Sequence, residues 1–216
     1  NLMNPIPFQL SPSSDWHKTF AGVANTFIIK DNGSLWGMGN SEFGLLGNGS
    51  TTQLNPTLQQ IGTATNWQKI SASSEMTIGL KTNGTIWGWG QNDEYEMGNN
   101  TCCANQLTPI QIGTANHWVD IETSLGASVF ALKNDGTIWG WGLNLGGLLG
   151  DNTVMARSVP TQLNTDTDWA SIHVGAPHIL ALKPMVTLGF GGGVEFDQMV
   201  LVFFSSLFYE KRKEKP

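Results

Sequence analysis

The chain has 216 residues, 40% of them hydrophobic, which is enough apolar material for a sizeable core. Only 13% are charged, against 26 glycines and nine tryptophans, a composition that disfavours exposed helices and suits short strands joined by tight turns. The formal charge of −6 argues against nucleic acid as a partner, because that affinity rests on lysine and arginine neutralising phosphates.

Residues 1–183 carry the whole excess, with 13 acids and 7 bases, while residues 184–216 hold four of each. Four of the bases, Lys30, Lys81, Lys133 and Lys183, recur at spacings of 51, 52 and 50, so they are copies of one repeat position rather than a patch. Trp16, Trp67, Trp118 and Trp169 are separated by 51 each time. Each opens a segment that ends in FIIK, IGLK, FALK or LALK, and after the first three of these the glycines Gly33, Gly84 and Gly136 mark a hairpin turn.

The next strands read SLWGMG, TIWGWG and TIWGWG. Alternation along a strand puts Trp87 and Trp89 on one face and Gly88 and Gly90 on the other, so a bulky face can pack against the flat face of the next copy. Packing between repeats is therefore the role expected of Trp36, Trp87, Trp89, Trp139 and Trp141. A glycine-rich connection follows, and then a short strand with Pro56, Pro109 or Pro160 in or beside it, which belongs at a sheet edge.

The order W-x-x-I, L-x-x-x-G-T-I-W-G-W-G, L-G-x-x-T and P-x-Q-I resembles the repeat of the regulator of chromosome condensation family, whose propellers include a bacterial β-lactamase inhibitor. The resemblance spans about Pro5 to Lys183. It implies an all-β propeller of four-stranded antiparallel blades, seven in a typical ring, of which this chain holds an incomplete three to four. The repeats divide as a trailing strand at 1–15, full repeats at 16–66, 67–117 and 118–168, and a partial repeat at 169–183. PFQLSPSSDW aligns with the last strand of a preceding repeat, so the chain is expected to be a piece of a longer protein.

After Lys183 the sequence leaves the pattern. Met199 to Tyr209 is an apolar run too short to span a membrane, which makes membrane association an unfavoured reading. The 184–216 segment is open to three readings: a frame error or truncation in place of the real blade, a terminal helix or strand that caps the array, or a sorting tail.

Neither a catalytic motif nor a metal or cofactor signature emerges. The histidines His17, His117, His173 and His178 lack ligand spacing, and GFGGG lacks the lysine and Ser/Thr of a phosphate loop. Cys102 and Cys103 are adjacent in one connection and read as two free thiols, a vicinal disulfide being the alternative. Four Asn-x-Ser/Thr triplets, at Asn32, Asn48, Asn83 and Asn99, are accounted for by turn chemistry without a glycan.

One loop breaks the repeat. Where the first repeat has Phe43, Gly44 and Leu45, the second has Glu94, Tyr95 and Glu96, preceded by Asp93, while the third keeps Gly147 and Leu148. This acidic-aromatic set is the candidate partner contact, with drift in a solvated loop as the alternative. The functional expectation is a non-catalytic scaffold for another protein. The resemblance also implies guanine-nucleotide exchange on a small GTPase, or inhibition of a secreted enzyme, as rivals. Open blade faces are expected to favour self-association. The two cysteines and low charge lean towards a secreted or cell-surface bacterial protein.

Overall fold

A computed structural model describes residues 13–175 and 178–184, together with the backbone of residues 202–205. Blade 1 consists of β1 (Trp16–Ala21), β2 (Asn25–Lys30), β3 (Leu35–Gly39) and β4 (Asn55–Gln60). Blade 2 repeats it with β5 (Trp67–Ala72), β6 (Met76–Lys81), β7 (Ile86–Gly90) and β8 (Gln106–Gln111). Blade 3 is built from β9 (Trp118–Thr123), β10 (Ser128–Lys133), β11 (Ile138–Gly142) and β12 (Arg157–Gln162). Each is an antiparallel meander with its strands in sequence order. The trailing strand expected at 1–15 falls almost wholly outside the described residues.

The turn chemistry acts as the sequence indicates. Gly33, Gly84 and Gly136 sit at φ +77, +74 and +74, a region open to glycine at no steric cost. A Cβ on any of them would also come within 2.1–2.3 Å of a carbonyl oxygen in the next connection, so these turns need glycine twice over. Beside them Asn32, Asn83 and Asp135 fold back to accept the N–H and hydroxyl of Ser34, Thr85 and Thr137. Asn99 does the same for Thr101, and Asn48 accepts the N–H of Ser50. The Asn-x-Ser/Thr triplets are thus engaged in Asx turns.

The fourth sheet contains β13 (Ser171–Val174), β14 (His178–Leu182) and β15 (Val202–Ser205), in that order. β15 pairs antiparallel with β14, from His178↔Ser205 to Ala181↔Val202. It takes the place beside β14 that β3, β7 and β11 hold in the other blades. The rest of the expected 184–216 segment lies outside the described residues, as do most of Met199 to Tyr209.

The first strands of successive blades neighbour one another, β1 with β5, β5 with β9 and β9 with β13, so they run nearest the axis about which the blades are arrayed. The proline-bearing strands β4, β8 and β12 form the opposite edge, where a missing N–H costs nothing. Three apolar seams fill the space between blades. Phe27, Ile29, Leu35, Leu46 and Ile61 of blade 1 meet Trp67, Ile70 and Trp89 of blade 2. Met76, Ile78, Leu80, Ile86, Met97 and Ile112 meet Trp118, Ile121, Val129, Ala131 and Trp141. Phe130, Leu132, Ile138, Leu149 and Leu163 meet Trp169, Ile172, Ile179 and Ala181.

The tryptophans divide by position within this scheme. Trp89 and Trp141 are fully buried in the seams and meet Trp67 and Trp118 edge-on or tilted. Trp36, Trp87 and Trp139, two residues earlier on the same strand face, are only partly buried, and there the repeat lysine covers the ring. The ammonium of Lys81 lies 3.5 Å from the centroid of Trp87 and 4.7 Å from that of Trp67. Lys133 repeats the arrangement over Trp139 and Trp118, and Lys30 over Trp36 and Trp16. Lys183 lies over Trp169. A cation held against an indole face keeps its charge near solvent while its methylenes cover the ring.

Candidate functional site

The blades have two ends. One carries the β-turns at Gly33, Gly84 and Gly136. The other carries the connections between first and second strands (residues 22–24, 73–75 and 124–127) and the long connections between third and fourth strands (40–54, 91–105 and 143–156). Nine large apolar side chains are markedly exposed among the described residues, and seven of them, Val23, Phe43, Leu54, Leu125, Leu145, Val154 and Met155, lie on this loop end. The other two, Val119 and Val159, lie on strands. Exposed apolar side chains are thus concentrated at one end, which makes that end the candidate contact surface.

The long connections are held from within. In blade 2, buried Asn92 accepts the N–H of Met97 at 3.0 Å and donates to the carbonyl of Thr101 at 3.0 Å. Asn144 uses the same two bonds in blade 3, to Leu149 and Thr153, and Ser41 takes the position in blade 1. The carbonyl of Asn92 also accepts the N–H of Cys103 at 2.6 Å. Cys102 and Cys103 are joined as a vicinal disulfide, which corrects the reading of two free thiols. Adjacency alone does not reveal the pairing, because it depends on the loop bringing Cys103 to φ +69 against Asn92.

The four candidate contact residues separate on this loop. Asp93 and Glu94 are exposed and Tyr95 is partly exposed. Tyr95 has φ +65, where Gly44 and Gly147 have +85 and +78, so a tyrosine occupies a left-handed position filled by glycine in the sister loops. Glu96 is 1% exposed. It stands in the place of Leu45, and its backbone carbonyl accepts the indole N–H of Trp141 at 2.8 Å, just as Leu45 accepts that of Trp89 at 3.0 Å. The Glu96 side chain turns back so that Oε2 accepts the N–H of Glu94 at 2.8 Å, and Oε1 has no hydrogen-bond partner. As packed, Glu96 presents no surface to a partner, which leaves Asp93, Glu94 and Tyr95 as the accessible part of the set.

Burial pushes the Glu96 carboxyl up to about 7; backbone N–H groups oppose the rise, and the charges of Glu75 and Asp93 add to it. Glu75, on the neighbouring connection, is also raised, by burial and then by Asp93 and Glu94. None of these four carboxylates joins an ion pair among the described residues. The patch is continuous: Ser74 donates to the carbonyl of Leu125, Gln91 N–H to that of Glu75, and the Gln91 side chain to Asp93. Sequence reasoning located this loop by its departure from the repeat. It missed Glu75 and the exposed Leu125, which only the folding of neighbouring connections brings alongside it.

At the opposite end, a cleft of about 320 Å³ between blades 2 and 3 is lined by Gln68, Asn83, Asn116, His117 and Trp118 among others. Its lining contains no Asp, Glu, Lys or Arg. Among the described residues no group of three or more His, Cys, Asp or Glu is placed to hold a metal ion.

Comparison with known proteins agrees with the repeat reading. The family described as regulator of chromosome condensation (RCC1) repeat matches residues 83–130 and 135–182, and a second profile of the same description matches residues 67–96. The human E3 ubiquitin-protein ligase HERC2 is 25% identical over 142 residues, covering 65% of this chain and 3% of that protein. The ultraviolet-B receptor UVR8 of Arabidopsis thaliana is 25% identical over 168 residues, covering 75% of this chain and 38% of the receptor. The chain thus spans well under half the length of these relatives. Among solved structures, Prp20p from Saccharomyces cerevisiae superposes with a TM-score of 0.70 at 15% identity, covering 85% of this chain and 45% of that one. Human WBSCR16 gives 0.66 at 18% identity, covering 78% and 44%. With more than half of its residues matched and its blades superposing on those of Prp20p, the chain belongs to the regulator of chromosome condensation repeat family.

Proposed function

We propose that this chain is a non-catalytic propeller scaffold that docks another protein on the loop end of blades 2 and 3. The observation that carries the reading is the concentration of exposed large apolar residues at the loop end, where seven of the nine among the described residues lie; four of them, Leu125, Leu145, Val154 and Met155, are on blade 3, next to blade 2 with its acidic set Glu75, Asp93 and Glu94. Contact with other proteins is also described for two similar structures. Prp20p is reported with binding properties towards Gsp1p and histones, and yeast RCC1 is seen with Kap60 bound.

The test is capture on the immobilised chain. The wild type, the double variant Leu125→Asp/Leu145→Asp and the edge-strand variant Val159→Asp are compared for the proteins they retain. A partner kept by the wild type and by Val159→Asp but lost from the double variant supports the reading. Equal retention by all three overturns it. Small GTPases in the panel, read by nucleotide release, separate simple docking from exchange.

A further inference from the structure

The loop end carries one group that docking does not use. Glu96 occupies a leucine position in the seam between blades 2 and 3, buried, with Oε1 unpaired. We propose that Glu96 makes this seam proton-sensitive: the neutral acid packs as Leu45 does one blade earlier, and the ionised carboxylate drives residues 93–97 away from Trp141. The inference stands on the seam itself and does not depend on any partner.

An unpaired carboxylate oxygen in an apolar seam loses its hydration without replacement, a penalty that only the charged form bears in full. The groups around it deepen that penalty. Glu75 faces it from the connection before β6 and Asp93 lies on its own loop, both of its own sign, while the N–H of Glu94 on Oε2 works in the opposite direction. From blade 3, β11 supplies the indole of Trp141, and β12 places Pro160 near Gly98. The charged residue of β12, Arg157, is tied to Asp151 and does not compensate. The main-chain carbonyl of Glu96 holds Trp141, so displacement of the 93–97 backbone releases the indole.

The direction follows from proton linkage. The closed seam binds its proton more tightly than an open loop does, so closure is fully favoured below the ordinary glutamate value and weakens as pH rises through about 7. Trp89 on Leu45 supplies an internal reference, since its indole makes the same bond with no carboxyl beneath it.

The experiment is hydrogen exchange of the two indole N–H groups, followed by NMR on the full chain. Taking the ratio of Trp141 to Trp89 removes the intrinsic pH dependence of exchange. The ratio is expected to rise about tenfold or more between about pH 5 and about pH 8 in the wild type. It should stay flat in Glu96→Leu, which restores the sister residue, and in Glu96→Gln, which keeps the shape without the charge. A flat wild-type ratio, or a rise that survives in both variants, overturns the proposal. Neither result bears on docking, which is measured with a partner present.

Discussion

The indole N–H of Trp89 donates to the main-chain carbonyl of Leu45, one blade behind it, and the hydroxyl of Thr77 donates to the same oxygen at 2.9 Å. In the next seam Trp141 donates to Glu96, but Val129 stands in the place of Thr77 and no second donor reaches that carbonyl among the described residues. The two seams are copies with unequal redundancy. Trp141→Phe, which leaves a buried carbonyl unsatisfied, is expected to cost about 1–3 kcal/mol beyond the change in packing. Trp89→Phe should cost less, because Thr77 still satisfies Leu45. Paired denaturant titrations of the two variants check the order.

Gly79 illustrates how tightly a seam is filled. A Cβ there would lie 2.4 Å from Cζ3 of Trp67, whereas the sister position in blade 3 is Ala131, fully buried and accommodated. Gly79→Ala is expected to destabilise by about 1–3 kcal/mol through overpacking. Ala131→Gly, which opens space and adds backbone freedom, should cost about 1 kcal/mol. Thermal unfolding of both variants tests whether blade 2 is the tighter copy.

Much of this is legible in the sequence because the repeat states each local rule three times. The Asn-Gly and Asp-Gly turns, the lysine that closes each second strand and the outer-strand prolines each combine a residue type with a fixed place, and the structure realises them all. The buried Glu96 was not legible, because a glutamate in a glycine-rich loop reads as solvated and its burial depends on Trp141 from another blade. The split between Trp87 and Trp89 was hidden for a related reason. Both lie on one face by alternation, yet only Trp89 is fully buried in the seam, while Trp87 packs at its margin under Lys81. β15 shares no motif with β3, β7 or β11, so only its pairing with β14 identifies its place.

Lys81 is largely buried with no ion-pair partner among the described residues, and burial lowers its pKa below the ordinary lysine value. Its contribution should therefore come from the stem packed on Trp67 and Trp87 as much as from charge. Lys81→Met is expected to change stability by less than about 1 kcal/mol, while Lys81→Ala should lose more by uncovering both indoles. Melting temperatures that order the two variants the other way would show that the charge dominates.

Lys69 bridges blades 2 and 3 near the axis, 2.6 Å from Asp120 and 2.8 Å from Glu122. Burial opposes its charge, but the bonds to the two carboxylates outweigh that and raise its pKa. Its stabilisation is thus present below the ordinary lysine value and lost as pH rises through the higher folded value. At neutral pH, Lys69→Met should cost about 1 kcal/mol, since it leaves two carboxylates facing each other across a partly solvated seam. Added salt should narrow the difference from the wild type by screening that repulsion. A gap that does not shrink with salt would assign the loss to packing.

Tyr95 concerns stability and docking at once, in opposite directions. Its φ of +65 is a conformation that a non-glycine residue adopts only against strain of about 1 kcal/mol, and the sister loops place glycine there. Tyr95→Gly is therefore expected to stabilise the fold by up to about 1 kcal/mol, while Tyr95→Ala, still strained, should gain nothing. For a captured partner both substitutions should weaken binding by about 2 kcal/mol, because a ring fixed on a rigid loop supplies contact area at small entropic cost. Asp93→Asn and Glu94→Gln should act instead on association rate and its salt dependence, as charges at the rim of a contact do. The decisive comparison is Tyr95→Gly measured twice, by melting and by affinity. A higher melting temperature with weaker binding means that the loop keeps a strained tyrosine for contact. A higher melting temperature with unchanged affinity removes Tyr95 from the docking face and leaves the exposed leucines Leu125 and Leu145 to carry it.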